Sequence, residues 1–247
     1  MDVCRKFFSG THFQDSSFFI RVPKMFYSNN PRFFVSVDCI IFGLVDGKLC
    51  LLLTKRRFEP EKGKWSVMGG FVQEDESVDD AARRVLRHLT GLEDIYMEQV
   101  HAFGAINRDP GERVISVAYY ALLGPDEYNL ELLEKHEAVW IEIDKLPPLG
   151  FDHPEMVKKT LELIRAKCSH EPIGFNLLPA MFTLTQLQSL YETILGEPLD
   201  KRNFRKRVAE THCIEKTEYI DKTGSRRGAS LYRFNDHVYL SHPKFKI

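Results

Sequence analysis

The sequence lacks any apolar run near the length of about 20 residues that a membrane-spanning helix needs. Cysteine is sparse, with five residues in 247 and no C-x-x-C pair, so neither a zinc knuckle nor a disulfide framework is indicated. The N-terminus has no long apolar segment and no small-residue cleavage site, so we expect no secretory signal. We therefore expect a cytoplasmic protein with reduced thiols, no cofactor and no membrane partner.

Neither sign of charge dominates, since 34 Lys and Arg residues oppose 35 Asp and Glu residues. The balance changes along the chain: 12 basic and 9 acidic residues lie from His170 onward, whereas 22 basic and 26 acidic residues precede it. An acidic first part and a basic second part are typical of a protein whose second part binds a polyanion. A chain of 247 residues has room for two modest domains.

The first two-thirds of the chain has the pattern of strands mixed with helices. Residues 34–44 carry alternating apolar side chains, and Asp46-Gly47 predicts a hairpin turn into a second strand at residues 48–54. An α+β domain is therefore predicted over residues 33–168, after an N-terminal leader of residues 1–32. Further strands are predicted at 96–105, 114–123 and 138–143, and helices at 77–90 and 153–166.

The remaining residues, 169–247, predict a winged helix-turn-helix domain. Two helices are expected at 184–195 and 200–211, separated by the helix-breaking GEPL. Two β-like runs follow around the turn DKTGSRRG. A helix, a short turn, a second helix and a hairpin are the elements of a DNA-binding winged helix, in that order.

The second of these helices is strongly basic. Phe204, Val208 and Thr211 are spaced by four and three residues, so we expect them to face the core while the basic side chains point outward. A recognition helix would use arginine to contact guanine and asparagine to contact adenine. The alternative is a solvated basic surface. With the tip of the hairpin, the predicted DNA-binding residues are Lys201, Arg202, Asn203, Arg205, Lys206, Arg226 and Arg227.

Residues 70–92 resemble the Nudix box, a pattern of G, five residues, E, seven residues and R-E-U-x-E-E-x-G-U, where U is apolar. Nudix enzymes hydrolyse nucleoside diphosphates linked to another moiety, and the glutamates of the box hold Mg²⁺. The resemblance implies an α/β/α sandwich with a mixed sheet. The positions in register are Gly70, Glu76, Arg84, Leu86, Gly91 and Leu92.

The three metal-binding glutamates of that box are replaced here by Val85, His88 and Leu89. Mg²⁺ prefers carboxylate oxygens and water, so these side chains are poor ligands. We therefore expect no metal site, no catalytic residue and no enzymatic activity, with Glu76 and Arg84 kept as a structural pair. Four carboxylates remain at the helix start, where capping is preferred to a relocated metal site: Asp75, Glu76, Asp79 and Asp80.

From about Phe34 onward the chain resembles the Nudix-related transcriptional regulators of bacteria, through segments such as VDCIIFGL, GGFVQEDES, LPPLGFDH, FTLTQLQSLYE and LDKRNFRKR. The resemblance implies a homodimer that binds a pseudo-palindromic double-stranded DNA operator and a small effector. It is nearest to the arabinose-responsive type of gut Bacteroidetes, which implies a repressor of sugar catabolism with a sugar or nucleotide sugar as effector. The alternatives are a hydrolase of ADP-ribose-like nucleotide diphosphates and a regulator of NAD metabolism that senses such a nucleotide.

We expect the effector between the box helix and the sheet, in a pocket with aligned hydrogen-bonding groups and an aromatic wall. For every candidate the alternative is a purely structural role, especially for Trp65, which could belong to the core, and for His88, which could be a surface histidine. The run that ends in Phe151, Asp152 and His153 either transmits the effector state or caps the next helix through Asp152. The predicted effector-binding residues are Lys55, Arg57, Trp65, Glu76, His88, Arg113 and Tyr119.

Overall fold

A seven-stranded mixed sheet forms the centre of the first part of the chain. Its strands have the order β3-β2-β1-β6-β5, with β4 paired to β1 and β7 paired to β2. The pairing of β1 with β6 is parallel, and the other pairings are antiparallel. The strands are β1 (Phe34–Val45), β2 (Lys48–Lys55), β3 (Trp65–Ser66), β4 (Met68–Phe71), β5 (Met97–Phe103), β6 (Val114–Leu123) and β7 (Val139–Glu142).

This computed structural model describes residues 27–91, 95–124, 130–223, 228–235 and 237. The described residues from Phe33 onward belong to one compact unit. Residues 1–26 of the predicted leader lie outside the described residues, so the role of that segment stays open.

The predicted hairpin between β1 and β2 is confirmed. Asp46 and Gly47 have φ angles of 49° and 75°, which is the left-handed pair that a tight hairpin turn requires. The short strands β3 and β4 were not predicted, because two to four residues carry too little periodicity to be recognised.

Helices cover both faces of the sheet. They are α1 (Val78–Thr90), α2 (Leu130–Lys135) and α3 (His153–Cys168). Ser77 accepts a hydrogen bond from Asp80 N and Gly91 ends α1 at a φ of 75°, so both predicted caps are confirmed. Alternation along β1 separates two cores: Val37, Cys39 and Ile41 pack with α1, and Ile40 and Phe42 with α3.

The second part is a winged helix-turn-helix, as predicted. It consists of β8 (Phe182–Thr183), α4 (Leu184–Leu195), α5 (Lys201–Thr211), β9 (Ile214–Asp221) and β10 (Ala229–Phe234). The strands form an antiparallel sheet in the order β8-β10-β9. Thr183 and Gln186 form a reciprocal capping box at the start of α4, which satisfies backbone N–H groups that the helix itself cannot pair.

One apolar cluster runs through both parts. Ile164 and Cys168 of α3 belong to the same buried cluster as Phe42 of the mixed sheet and Leu190 and Tyr191 of α4. The α3 helix is therefore a shared wall between the two parts. Within the described ranges, no helix has the length and apolarity needed to span a membrane.

Candidate functional site

A cavity of about 290 Å³ opens on the α3 side of the mixed sheet. Its walls come from the start of β1, the loop after β2, β4, the loop after β5 and the start of α3. Charged and aromatic side chains dominate these walls, which is typical of a site that orients a polar ligand. The residues that matter most are Asp38, Arg56, Phe58, Phe71, Arg108 and His153.

A buried arginine lies at the inner end of the cavity. Only 7% of Arg108 is exposed, and it donates to both carboxylate oxygens of Asp152, at 2.9 Å from Nε and 2.8 Å from Nη2. Its Nη2 atom lies 3.5 Å from Asp38 Oδ2, which also accepts a hydrogen bond of 2.5 Å from Ser116 Oγ. The arginine thus joins β1 to the residue that precedes α3.

Two neighbours restrict the space around Asp38. A Cβ atom on Gly69 would lie 2.2 Å from Asp38 Oδ1, so this position of β4 requires glycine. His153 is buried, with Nδ1 at 3.4 Å from Ser66 Oγ and Nε2 at 3.7 Å from Asp38 Oδ1. Burial lowers the pKa of His153 below its usual value, so at neutral pH the ring contributes hydrogen bonds rather than charge.

Aromatic rings form the outer rim. The guanidinium of Arg56 lies between two of them, at 4.7 Å from the ring centres of Phe58 and Phe151. Phe58 and Phe71 line the cavity and are 66% and 55% exposed, which is unusual for large apolar side chains. Phe151 has a φ of 52°, a left-handed conformation that a phenylalanine rarely adopts. A planar or partly apolar ligand would find stacking surface here.

Most of the expected space between α1 and the sheet is filled by core, but a cavity of about 410 Å³ remains at its edge, lined by Asp79, Arg83 and the predicted effector residue Tyr119. Val37, Cys39 and Ile41 pack in this core against Val85 and Leu86, in a cluster that leaves each of them at most 5% exposed. None of the seven predicted effector-binding residues lines the cavity on the α3 side. Their assignment to the effector therefore stays a prediction, while their observed contacts are structural.

Three of the seven lie around the end of β2. The Nζ atom of Lys55 is 5.0 Å from the ring centre of Trp65, and Trp65 packs partly buried against the core. Arg57 pairs with Glu137 at 3.0 Å on the surface. The core alternative for Trp65 is thus the one that its packing supports.

Three others are dispersed over the domain. Arg113 donates at 3.0 Å to the carbonyls of Ala105 and Gly104, and so holds the loop after β5. Tyr119 is buried on the α1 side and donates to the Asp79 carboxylate. His88 is exposed on α1, and its ring lies 4.6 Å from that of His136.

Glu76, the seventh, forms the structural pair expected from the sequence. Its two carboxylate oxygens accept from Arg84 at 2.8 and 2.6 Å, which lowers the pKa of Glu76. Val85, at a metal-ligand position of the Nudix box, is buried against Gly70. Among the described residues no group of three or more His, Cys, Asp or Glu side chains is arranged to hold a metal ion. The residues present do not fit the Mg²⁺ site of a Nudix enzyme.

The basic helix α5 has the orientation predicted from its spacing. Phe204, Val208 and Thr211 are buried, and Asp200 caps the helix by accepting from Asn203 N at 2.8 Å. The outward residues are exposed: Lys201, Arg202, Asn203, Arg205 and Lys206.

These cations have few partners in the part of the chain that the structure describes. No ion pair there involves Lys201, Arg202 or Arg205, and Lys206 is 3.8 Å from Glu210. The predicted wing-tip residues Arg226 and Arg227 lie outside the described residues. The exposed face of α5 is thus a concentrated positive surface that offers hydrogen-bond donors to a polyanion.

The cavity residues were missed for identifiable reasons. Asp38 is a carboxylate inside the apolar strand FVSVDCIIFGL, which is an unusual place for a charge and could have been noticed. From the sequence, Asp152 and His153 are expected either to transmit the effector state or to cap the next helix, and not to surround the cavity. The predicted capping role of Asp152 is not observed, because its side chain makes no capping hydrogen bond and pairs with Arg108. Arg108 has no local pattern that identifies it.

Comparisons with known proteins agree with this architecture. Residues 32–160 match the Nudix domain family, and residues 174–234 match the NrtR DNA-binding winged helix domain. A protein of Acinetobacter baylyi, named "ADPR responsive transcriptional repressor NtrR", is 34% identical over 211 residues, or 84% of each chain. The chain belongs to the NrtR family. Its Nudix-like and winged helix parts are therefore those of a transcriptional regulator.

Two further relatives are similar to different shares of this chain. The crystal structure of Shewanella oneidensis NrtR complexed with a 27mer DNA is 27% identical, with a TM-score of 0.76 over 85% of this chain and 97% of that chain. An ADP-ribose pyrophosphatase of Methanocaldococcus jannaschii is 29% identical over 130 residues, which cover 51% of this chain and 75% of that protein. The second similarity concerns the Nudix-like part.

The finer family assignment needs a correction. The sequence was expected to be nearest to the arabinose-responsive regulators of Bacteroidetes, with a role in sugar catabolism. The comparisons do not support that subtype, since the A. baylyi repressor is named for its response to ADPR. The broader prediction, a regulator with a Nudix-like domain followed by a winged helix, is confirmed.

Proposed function

We propose that this NrtR-family protein is a DNA-binding transcriptional repressor, controlled by a small effector in the cavity of its Nudix domain, which it does not hydrolyse. The observation that carries the proposal is the exposed face of α5, where Lys201, Arg202 and Arg205 find no ion-pair partner among the described residues. This helix is the second of a winged helix-turn-helix, the position that enters the major groove.

The DNA contacts follow from that placement. Arg202 and Arg205 have the bidentate geometry that pairs with guanine, and Asn203 suits adenine. A protein of this type binds as a homodimer to two half-sites spaced by about one helical turn, or about 34 Å. The arginines and lysines displace counterions from the phosphates, so operator affinity should fall steeply with salt.

An ADP-ribose-type nucleotide is the first candidate effector. The support is the name of the A. baylyi relative, which covers 84% of this chain. In the cavity, Phe58 and Phe71 offer surface on which an adenine ring could stack, and Arg56 and Arg108 offer donors to phosphate oxygens.

A neutral sugar, the effector expected from the sequence, is a second candidate, which one observation favours. Three carboxylates line the cavity with only two arginines, and one of those arginines is already paired with Asp152. Such a lining repels a pyrophosphate when no metal neutralises it, whereas it suits hydroxyl groups. The three carboxylates belong to Asp38, Glu59 and Asp109.

The absence of hydrolysis rests on helix α1. Val85 occupies a metal-ligand position of the Nudix box but lies in the core, and the exposed His88 has no carboxylate. Without ligands for Mg²⁺ on this face, the helix cannot supply the metal that activates water in a Nudix enzyme.

One set of measurements tests the proposal. An operator selected from random DNA duplexes is titrated with the full chain in EDTA, alone, with ADP-ribose and with L-arabinose, and each compound is incubated with the protein and Mg²⁺. We expect tight, salt-dependent operator binding, a changed operator affinity with one compound, and no turnover. Selection of no DNA sequence would refute DNA recognition, and Mg²⁺-dependent cleavage of ADP-ribose would establish the hydrolase alternative.

A further inference from the structure

The start of α3 is held by the cavity rather than by its own cap. Asp152 occupies the N-cap position but makes no side-chain capping hydrogen bond. Its carboxylate receives two hydrogen bonds from Arg108, at 2.9 and 2.8 Å. The residue before it, Phe151, has a φ of 52° and lines the cavity. The position of this helix start therefore depends on an arginine that itself forms part of the cavity wall.

The other end of α3 is attached to the winged helix. Arg165 donates from Nε to the carbonyl of Ile194, in the last turn of α4, at 2.8 Å. Ile164 and Cys168 are buried in the cluster that contains Tyr191 of α4. With 16 residues, α3 is about 24 Å long and connects the cavity to α4 as one continuous helix.

Arg108 is shared unequally between two carboxylates. Its Nη2 atom is 2.8 Å from Asp152 and 3.5 Å from Asp38. It also borders a second cavity, lined by Asp152 and Lys159, so it separates two open spaces. A ligand oxygen that accepts a hydrogen bond from Nε or Nη2 of this guanidinium would compete directly with Asp152.

We infer that Asp152 is the positioning residue that couples the effector cavity to the DNA-binding helices, and that Arg108 is the group through which the effector acts on it. The inference rests on the proposed function, because it requires a ligand in the cavity. An effector that binds Arg108 releases Asp152, shifts the start of α3, and changes the orientation of α4 and α5. Effector and operator binding are thereby linked, as allosteric coupling requires.

The test compares two variants of the full chain. Asp152→Asn removes the charge that holds Arg108 while keeping the shape of the side chain. Glu162→Gln is the matched control, because it removes an exposed carboxylate from the same helix at a position that lines neither cavity. Operator affinity is measured with and without ADP-ribose in EDTA, and with and without L-arabinose. Binding of each compound to each variant is measured by calorimetry.

We expect Asp152→Asn to bind both the operator and whichever compound is active on the wild type. Adding that compound should change the operator affinity of Asp152→Asn by less than about twofold, against about tenfold for the wild type. Glu162→Gln should respond like the wild type. An undiminished response in Asp152→Asn would overturn the inference. If that variant fails to fold, Asp152→Glu, which retains the charge at a shifted position, should show a reduced response, and a full response would count against the coupling.

A second measurement does not depend on the effector. If neither compound affects wild-type operator binding, the effector candidates fail, and hydrogen exchange of the free full chain decides the coupling. Asp152→Asn should then exchange faster than Glu162→Gln in α4 as well as in α3. Faster exchange confined to the first turn of α3 would show that Asp152 has only a local structural role.

Discussion

Helices α1 and α5 use their charged residues in opposite ways. On α1, Asp80 pairs with Arg83 and Arg84 pairs with Glu76. These charged side chains, which precede the metal-ligand positions of the Nudix box, therefore have ion-pair partners within the domain. On α5, Lys201 and Arg202 are exposed without an ion-pair partner in the described part of the chain.

The difference explains how a Nudix scaffold can serve a regulator. A catalytic helix must present carboxylates to metal, whereas α1 presents the buried Val85 at one of those positions. Its charged residues stabilise a loop and a helix start. The exposed cations that have no ion-pair partner among the described residues lie instead on α5.

The largest effect is expected when a glutamate is restored at the buried metal-ligand position of α1, which tests the contrast between α1 and α5. Val85→Glu should lower the free energy of unfolding by about 3–5 kcal/mol, because it buries a carboxylate without a partner. Urea denaturation with and without Mg²⁺ measures the effect. The control is His88→Glu, which restores a second Nudix glutamate at an exposed position and should cost only about 0.5 kcal/mol. Equal stability of the two variants would show that Val85 is not a core residue.

Removing charge from α5 should affect binding and spare stability. Arg202→Ala and Arg205→Ala should each weaken operator binding by about 1–3 kcal/mol and relax base preference at one position. Anisotropy titrations at several salt concentrations give both the affinity and the salt slope. Arg83→Ala, which removes the same charge from α1, should leave the titration unchanged. If all three variants bind alike, the basic face of α5 is only a solvated surface.

A change of pH should have a smaller effect on the free energy of unfolding, through His153 beside the cavity. Burial lowers the pKa of His153, so below about pH 6.5 the unfolded chain binds more protons than the folded chain. The free energy of unfolding should therefore decrease as the pH falls through that range, and less steeply in His153→Gln. The pKa of His136 is lowered too and adds in the same direction. Urea titrations from about pH 7.5 to 5.5 with identical slopes for both proteins would contradict the assignment.

The smallest effect should come from the partly exposed pair of Glu76 and Arg84 before and within α1. Glu76→Gln should reduce the melting temperature only slightly, because water screens the half-exposed Arg84 and the glutamine oxygen can still accept a hydrogen bond from it. Arg84 lowers the pKa of Glu76, so its contribution is present at neutral pH and is lost as the pH falls through that lowered pKa. Calorimetric melts at two pH values measure this. An unchanged response to effector would favour the structural role over the predicted effector contact.

Local patterns predicted the fold more completely than the cavity. The caps at Ser77 and Gly91, the turn at Asp46-Gly47 and the buried seam of α5 each depend on a few neighbouring residues, and all were predicted. The short strand β8 was not predicted, because two residues carry no measurable period and their pairing with β10 is a tertiary effect.

The cavity depends on residues that are distant in sequence. Asp38, Arg108 and Asp152 meet only because β1 pairs in parallel with β6 and α3 returns to the same side of the sheet. Alternation in β1 placed Val37, Cys39 and Ile41 on one side, so Asp38 could have been assigned to the other side. The loop that carries Arg108 has no periodicity from which its direction could be deduced.

The shared apolar cluster also has a consequence for protein engineering. Ile164 and Cys168 of α3 pack in the same core as Leu190 and Tyr191 of α4. A cut in the segment between α3 and α4 would therefore expose an apolar surface on each fragment. A chimera that transplants the winged helix onto another domain would have to carry α3 with it. The smallest transferable module of this protein therefore begins inside its Nudix-like part.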